Sequence, residues 1–224
     1  MNEFLDFAAE HLPYILAGVP TTLALWAIAI TFGFFFGLVL AWCRIYAPAL
    51  PYWAATTYIE VFRGTPMLVQ MLFIYLGLPE IGITLDPFSS AAVAIGLNTS
   101  AYQAEYFRGA IQSIPLGQMN AARSMGMTDL QGLIYVVLPQ ALRRVIPQWS
   151  NEAILELKFT SIAFAVGVTE LTARAETIGF KTFRFFEIFL IVAAVYLVLT
   201  ATVAQILQFV ERRTAVPGLS LQSQ

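Results

Sequence analysis

Two long apolar stretches of this sequence contain polar side chains whose types and spacing suit the binding of a small polar solute. In the first, Asn98, Tyr102 and Glu105 stand at positions i, i+4 and i+7, so a helix would place them on one face. In the second, Glu152 and Glu156 are four residues apart and also share a face. An amino acid needs acceptors for its ammonium group and donors for its carboxylate, and these groups supply both.

Ionisable groups inside a bilayer are costly, so they usually face a bundle interior or a water-filled cavity. Thr99 flanks the first face and is added to the candidates. The substrate-binding residues expected from spacing are therefore Asn98, Thr99, Tyr102, Glu105, Glu152 and Glu156.

Structural roles compete with ligand binding at several of these positions. Glu105 can pair with Arg108, three residues later and near the cytoplasmic boundary. Asn98 and Tyr102 can serve as hydrogen-bonding residues between helices. Lys158 points away from the glutamate face and can partner a carboxylate on another helix. The sequence alone leaves these alternatives open.

Membrane helices must position these residues, because the composition excludes a soluble domain. Of 224 residues, 58% are hydrophobic and only 12% are charged, whereas soluble domains carry about 25% charged residues. About 20 apolar residues cross a bilayer as a helix. The sequence predicts an all-α integral membrane protein, a single domain over residues 1–224. Its five expected spans are 21–42, 54–78, 87–111, 144–168 and 188–210.

A break is expected inside the second span, at Gly64-Thr65-Pro66. Thr65 followed by Pro66 is typical of a helix N-cap with proline at the first helical position. The pattern therefore predicts that a new helix starts here and that the span is kinked.

The distribution of positive charge predicts the orientation, because arginine and lysine are enriched in cytoplasmic loops. Residues 1–11 contain no lysine or arginine, which agrees with an external N-terminus and is unlike a cleavable signal peptide. With the N-terminus outside and the C-terminus cytoplasmic, eight basic residues fall inside and three outside, with Lys158 within the fourth span. The eight are Arg44, Arg63, Arg108, Arg123, Arg143, Arg144, Arg212 and Arg213, and the three are Arg174, Lys181 and Arg184.

The segment 112–142 is the longest one predicted to lie outside the membrane. A helical turn of small residues ends at Gly126, a suitable C-cap. Thr128 and Gln131 form a capping box that starts a second short helix, and Pro139 is expected to end it. The pattern predicts a helix–glycine–helix hairpin on the cytoplasmic side.

This hairpin resembles the cytoplasmic coupling loop of ABC importer permeases, whose pattern runs Glu-Ala-Ala, then Gly, then hydrophobic-Leu-Pro. The matching positions are Ala121, Ala122, Gly126, Leu138 and Pro139, while Asn120 stands where the family usually has glutamate. Other stretches, in the same order, resemble the polar amino acid uptake branch of these permeases. They are residues 18–23, 60–66, 102–105, 108–111, 151–152, 158 and 160–161.

The resemblance implies a type I importer permease fold that works by alternating access in a prokaryotic inner membrane. It implies four kinds of partner: a second permease subunit (the same chain or a homologue), two ATP-binding ATPase subunits, an extracellular or periplasmic solute-binding protein, and membrane lipid, but no nucleic acid. It adds Lys158 and Ser161 to the substrate site. The residues implied to couple to the ATPase are Asn120, Ala121, Ala122, Arg123, Gly126, Met127, Leu138 and Pro139.

The chain itself is expected to be neither an enzyme nor a cofactor protein. The sequence has no Gly-x-x-x-x-Gly-Lys-[Ser/Thr] phosphate loop, so ATP and magnesium would be used by the ATPase partner. A lone Cys43 and a lone His11 leave no cluster for a metal. Two other classes compete. An ATP-independent channel or secondary transporter would need no docking hairpin, and a membrane-embedded enzyme would need a nucleophile–base pair that the sequence lacks.

Overall fold

The regular elements of the described residues are all helices, with no strand among them, which confirms the predicted all-α class. This computed structural model describes residues 2–214. The helices are α1 (Asn2–Leu16), α2 (Val19–Tyr46), α3 (Ala49–Gly64), α4 (Met67–Leu72), α5 (Pro87–Gln112), α6 (Leu116–Ser124), α7 (Asp129–Gly132), α8 (Leu138–Phe159), α9 (Leu171–Thr182) and α10 (Phe185–Thr214).

Two of the described helices, α2 and α10, are long and apolar enough by themselves to cross a membrane. α3 and the stretch Met67–Ile81 meet that criterion together, with an angle of 107° between them. α5 and α8 contain 26 and 22 residues, about 39 and 33 Å at 1.5 Å per residue, which is long enough to span. Their hydropathy is lower because both contain the polar residues singled out above.

The predicted break in the second span is confirmed, although its helix starts one residue later than expected. α3 ends at Gly64, Thr65 and Pro66 are extended, and α4 begins after them. Proline disfavours a helical conformation in the residue before it, so α3 cannot continue. The Thr65 hydroxyl is not an N-cap. It donates back to the Val61 carbonyl over 2.8 Å and so belongs to the end of α3.

Glycines allow α2 and α5 to pack at very short range. A Cβ atom at Gly33 would lie 2.7 Å from Cγ2 of Thr99, and one at Gly37 would lie 3.0 Å from the backbone nitrogen of Ala104. This Gly-xxx-Gly pair is thus a close helix contact of the kind common in membranes. Gly33 meets Thr99 and, one turn later, Gly37 meets Ala104, so the two helices run parallel.

α8 begins earlier than the predicted fourth span and contains Pro139 in its first turn. The expectation that Pro139 ends the preceding helix was therefore wrong. α7 passes through a π-helical turn, Leu133–Val137, directly into α8. Proline is tolerated there because the wider π-helical turn before it accommodates the ring.

Candidate functional site

Polar contacts join the middle of α5 to α8, which runs antiparallel to it. The Thr99 hydroxyl donates to Oε1 of Glu156, and the Tyr106 hydroxyl donates to Oε2 of Glu152 over 2.8 Å. Glu156 is 2% exposed and Glu152 is 9% exposed, so both glutamates point into the bundle. Among residues 2–214, neither carboxylate lies within 4.0 Å of a basic nitrogen.

The same interface contains buried hydrogen-bonding capacity that the protein does not use internally. Trp149 Nε1 donates to Oε1 of Gln103 over 3.0 Å. Nε2 of Gln103 and the hydroxyl of Ser150 are buried, and neither has a hydrogen-bond partner in the described chain. Because most buried polar groups in proteins are paired, this stretch of α5 and α8 is a polar region with free donors.

Asn98 has a structural role at the break between α3 and α4. Its Nδ2 donates to the Phe62 carbonyl over 2.9 Å and to Oε1 of Gln70 over 3.0 Å. Nε2 of Gln70 donates to the Phe62 carbonyl as well, over 2.8 Å. Asn98 and Gln70 thus satisfy a carbonyl that the broken helix leaves unpaired. The alternative interpretation of Asn98 as an interhelical hydrogen-bonding residue is confirmed.

Glu105 is occupied by two arginines. Nη1 of Arg44, from α2, lies 2.6 Å from Oε1 of Glu105, and Nη2 of Arg108 lies 2.7 Å from Oε2. The pairing with Arg108 is the alternative that the sequence left open, and Arg44 is a second partner that the sequence did not indicate. Both carboxylate oxygens are engaged, which leaves Glu105 poorly suited to a solute.

Tyr102 lies beside Arg63, whose guanidinium carbon is 5.3 Å from the centre of the tyrosine ring. Tyr102 is about three turns before the end of α5 at Gln112, well inside the helix. Arg63 therefore lies level with the inside of α5, away from both ends of that helix.

The polar face that α5 presents to α8 is rotated by one residue from the predicted one. It consists of Thr99, Gln103 and Tyr106, each one residue after a member of the predicted set, and one residue corresponds to a rotation of about 100° around the helix. The sequence reasoning missed Gln103 and Tyr106. Tyr106 could have been found because it stands seven residues after Thr99. The prediction applied this i+7 spacing to Asn98 instead and so arrived at Glu105.

Lys158 and Ser161 stand apart from these contacts. Lys158 is exposed, two residues beyond Glu156 and hence on another face of α8. Ser161 is half-buried in the 3₁₀ turn Thr160–Val166 that follows α8. Neither side chain forms a hydrogen bond or ion pair within residues 2–214, so the structure does not bring them to the glutamates.

The hairpin between α5 and α8 has the predicted turn. Gly126 has φ of +83°, the left-handed region that favours glycine, and this confirms it as the residue that ends α6. The Thr128–Gln131 capping box is also present. The Gln131 amide donates to the Thr128 hydroxyl over 3.3 Å, and the Thr128 amide donates to the Gln131 side chain over 2.9 Å.

An ion pair and a small-residue contact hold the two arms of the hairpin together. Nε of Arg123 on α6 lies 2.7 Å from Oδ1 of Asp129 on α7, and this hydrogen bond lowers the pKa of Asp129 below its usual value. Ala122 is buried, 3.3 Å from the position that a Cβ on Gly132 would take. Of the remaining expected coupling residues, Met127 and Leu138 are half-buried. Asn120, Ala121, Arg123, Gly126 and Pro139 are exposed.

Comparison with known proteins decides the family. Residues 29–216 match the family described as binding-protein-dependent transport system inner membrane component. The chain belongs to this family. It is similar to the glutamine transport system permease protein GlnP of Escherichia coli (strain K12), with 37% identity over 204 residues, covering 90% of this chain and 93% of GlnP.

Two further similarities agree with this assignment. The nopaline transport system permease protein NocM of Agrobacterium fabrum is 36% identical over 217 residues, covering 92% of this chain and 90% of NocM. A crystal structure of an amino acid ABC transporter with histidines superposes with a TM-score of 0.87 and 40% identity, covering 94% of this chain and 98% of that one. The fold is that of a type I ABC importer permease.

Family membership confirms the resemblance drawn from the sequence. The permease is a multi-pass inner-membrane protein and works in an ABC transporter complex with an ATPase and a binding protein. Permeases of this family are not catalytic, and ATP is hydrolysed by the partner subunit. The family therefore favours an importer over an ATP-independent channel or secondary transporter.

Proposed function

We propose that this permease forms the translocation pathway of an ATP-driven importer for polar amino acids. The solute passes over the α5 face formed by Thr99, Gln103 and Tyr106, beside Tyr102, and meets Glu152 and Glu156 from α8. The observation that carries the proposal is that these two buried carboxylates, in a chain of this family, have no basic partner among residues 2–214. A solute with an ammonium group supplies the missing positive charge.

The similar proteins support this substrate class. GlnP is named for glutamine, NocM for nopaline, and the matching crystal structure is that of an amino acid transporter. Two carboxylates at one site exceed what a single α-ammonium group requires. This surplus of negative charge favours an amino acid with a cationic side chain.

The hairpin is the docking element for the ATPase. Leu116 is 82% exposed and Met125 is 78% exposed, although both are apolar. Apolar side chains on a projecting element indicate a surface that a protein partner covers. The docking contacts are proposed for Asn120, Ala121, Arg123, Gly126 and Met127, with Ala122 holding the hairpin together and Leu138 and Pro139 joining it to α8.

The complex is proposed to contain a second permease subunit, two ATP-binding subunits and an external solute-binding protein. ATP and magnesium are used by the ATPase subunits, and this chain binds no cofactor of its own. Because the hairpin must face the ATPase, the inner end of α5 is cytoplasmic. α2 runs parallel to α5, so its start and the N-terminus lie outside. The C-terminal end of α10 is cytoplasmic, together with Arg212 and Arg213.

A reconstitution experiment tests this function. The permease, its ATPase partner and its binding protein are placed in proteoliposomes, and the uptake of labelled L-arginine, L-histidine and L-glutamine is measured with MgATP or with MgADP. We expect at least one of these amino acids to be taken up with MgATP and none to be taken up with MgADP. A complex carrying a hydrolysis-deficient ATPase is the control. Equal uptake with both nucleotides would contradict the proposal and favour a channel.

A further inference from the structure

Arg63 is the one arginine of α3 and stands directly before the break at Gly64. Its guanidinium lies over the ring of Tyr102 at 5.3 Å, and its charge also acts on Tyr106 and Glu105. The side chain is exposed at the surface of the single chain. In membrane proteins, a charged side chain that is level with the middle of a spanning helix faces a polar cavity or an opposite charge.

Arg63 differs from Arg44, Arg108 and Arg144, which also lie near the helix bundle. Arg44 and Arg108 are neutralised by Glu105, at 2.6 and 2.7 Å. Arg144 donates to the Ser113 carbonyl over 2.6 Å. Within residues 2–214, Arg63 forms neither an ion pair nor a hydrogen bond. All the donors of its guanidinium are therefore free for a ligand.

The position of Arg63 is fixed by the elements around it. The break in the helix stops α3 at this level, and Gln70 and Asn98 hold the broken end by their bonds to the Phe62 carbonyl, at 2.8 and 2.9 Å. Discontinuous helices that end inside a membrane protein are a recurrent way to build a solute site. Here the broken end presents a cation instead of a free backbone group.

Opposite charges consequently flank one face of α5. On one side of that face, Tyr102 is covered by Arg63 from α3, whereas Thr99 and Tyr106 bind the glutamates of α8. An amino acid is a zwitterion, so it carries one group for each side. The glutamates alone cannot hold its carboxylate, because like charges repel.

We infer that Arg63 binds the α-carboxylate of the amino acid in transit while Glu152 and Glu156 hold its cationic groups. This inference rests on the proposed function and adds a requirement to it: a transported molecule must keep its carboxylate. A guanidinium suits this role because it is permanently charged and forms two parallel hydrogen bonds to a carboxylate.

Ligand pairs that differ only in the carboxylate test the inference. The complex of permease and ATPase is purified in lipid nanodiscs without the binding protein, and equilibrium competition is measured for L-arginine against agmatine and for L-glutamine against 4-aminobutanamide. In the wild-type complex, the carboxylate-bearing member of a pair should bind about tenfold more tightly or better. Arg63→Gln should bring the pair within about twofold, by weakening the amino acid and sparing its decarboxylated analogue.

Two further variants separate charge recognition from folding. Arg63→Lys keeps the positive charge and should retain part of the discrimination. Arg143→Gln removes an exposed arginine of α8 and should leave the discrimination unchanged. Size-exclusion profiles and melting temperatures of all complexes identify any variant that fails to fold or assemble.

Three results would overturn the inference: Arg63→Gln weakens both members of a pair equally, it leaves the discrimination intact, or the wild-type complex binds both members equally. In each case ATP-driven uptake by the wild-type complex can still stand, so the proposed function survives. Absence of ATP-driven uptake for every amino acid tested removes the proposed function itself.

Discussion

The α5–α8 interface and the α6–α7 hairpin are both held together by a few polar contacts. They differ in how far apart along the chain the contacting residues are. Tyr106 and Glu152 are 46 residues apart in the chain, and Thr99 and Glu156 are 57 apart. Arg123 and Asp129 are only six apart, at the two ends of one turn. The hairpin can thus keep its shape while the bundle rearranges. The interface exists only while α5 and α8 remain in register.

From this difference we infer that the hairpin and the interface have different roles in transport. A stiff local element transmits a displacement, and a long-range interface changes when the displacement arrives. Changes in the hairpin should therefore abolish ATP-driven movement without altering ligand preference. Changes in the interface should alter ligand preference while ATP hydrolysis remains coupled.

The largest effect is expected for Gly126→Pro. Proline requires φ near −65°, and Gly126 has φ of +83°, so the turn cannot form. ATP-driven uptake should fall more than about tenfold, with ligand binding in nanodiscs retained. Gly126→Ala and Gly117→Ala form a matched pair, because a Cβ meets open space at both sites and only Gly126 has positive φ. Normal ATP-stimulated uptake in Gly126→Pro would contradict the coupling role.

The next largest effect is expected for Glu156→Gln, which keeps the shape of the side chain and removes its charge. Ligands with a cationic side chain should lose about tenfold in affinity relative to neutral ones, since a buried carboxylate no longer balances their charge. Competition between L-arginine and L-glutamine measures the shift. Glu80→Gln, at an exposed position after α4, is the control. Unchanged transport of every amino acid tested would remove Glu156 from the site.

Glu105→Gln should reduce stability rather than alter selectivity. Arg44 would lose its nearest carboxylate, at 2.6 Å, and Arg108 would lose its own at 2.7 Å. Because both arginines are partly exposed, we expect a loss of about 1–2 kcal/mol in the free energy of unfolding. Thermal unfolding of the purified complex measures it. Glu60→Gln is a matched control, since Glu60 lies 4.0 Å from Arg44 and its side chain is 66% exposed. A change in ligand preference in Glu105→Gln would return Glu105 to the solute site.

The smallest effect is expected for Asp129→Asn. Arg123 lowers the pKa of Asp129 in the folded hairpin, so the stabilisation is complete above the pKa of the unfolded chain, about 4, and is lost as pH falls through the folded value. The melting temperatures of wild type and variant should therefore differ by a small amount that is constant between pH 6 and 8. A difference that grows across this range would show that another group titrates.

Prediction from the sequence succeeded where structure is decided locally. The left-handed Gly126 and the Thr128 capping box each depend on a few neighbouring residues, and both are present. The bounds of α5 were predicted to within one residue, because Asp86 caps its start and Pro87 follows.

Prediction failed where packing decides. α5 is buried around most of its circumference, so no exposed side fixes its rotation, and the predicted polar face was displaced by one residue. Pro139 was read as the end of a helix, although the wide π-helical turn before it accommodates the ring. The location of Arg63 depends on how α3 packs against α5, which a linear pattern does not contain.

The close helix contact at Gly33 and Gly37 of α2 limits which movements this bundle can make. With backbones as close as Gly37 and Ala104, where even a methyl group would stand 3.0 Å from a nitrogen atom, α2 and α5 cannot slide past each other without collision. This close packing favours movement of α2 and α5 as one body. Opening and closing of the pathway would then fall to α8 and the broken α3–α4 segment, which are joined to α5 by hydrogen bonds that can be exchanged.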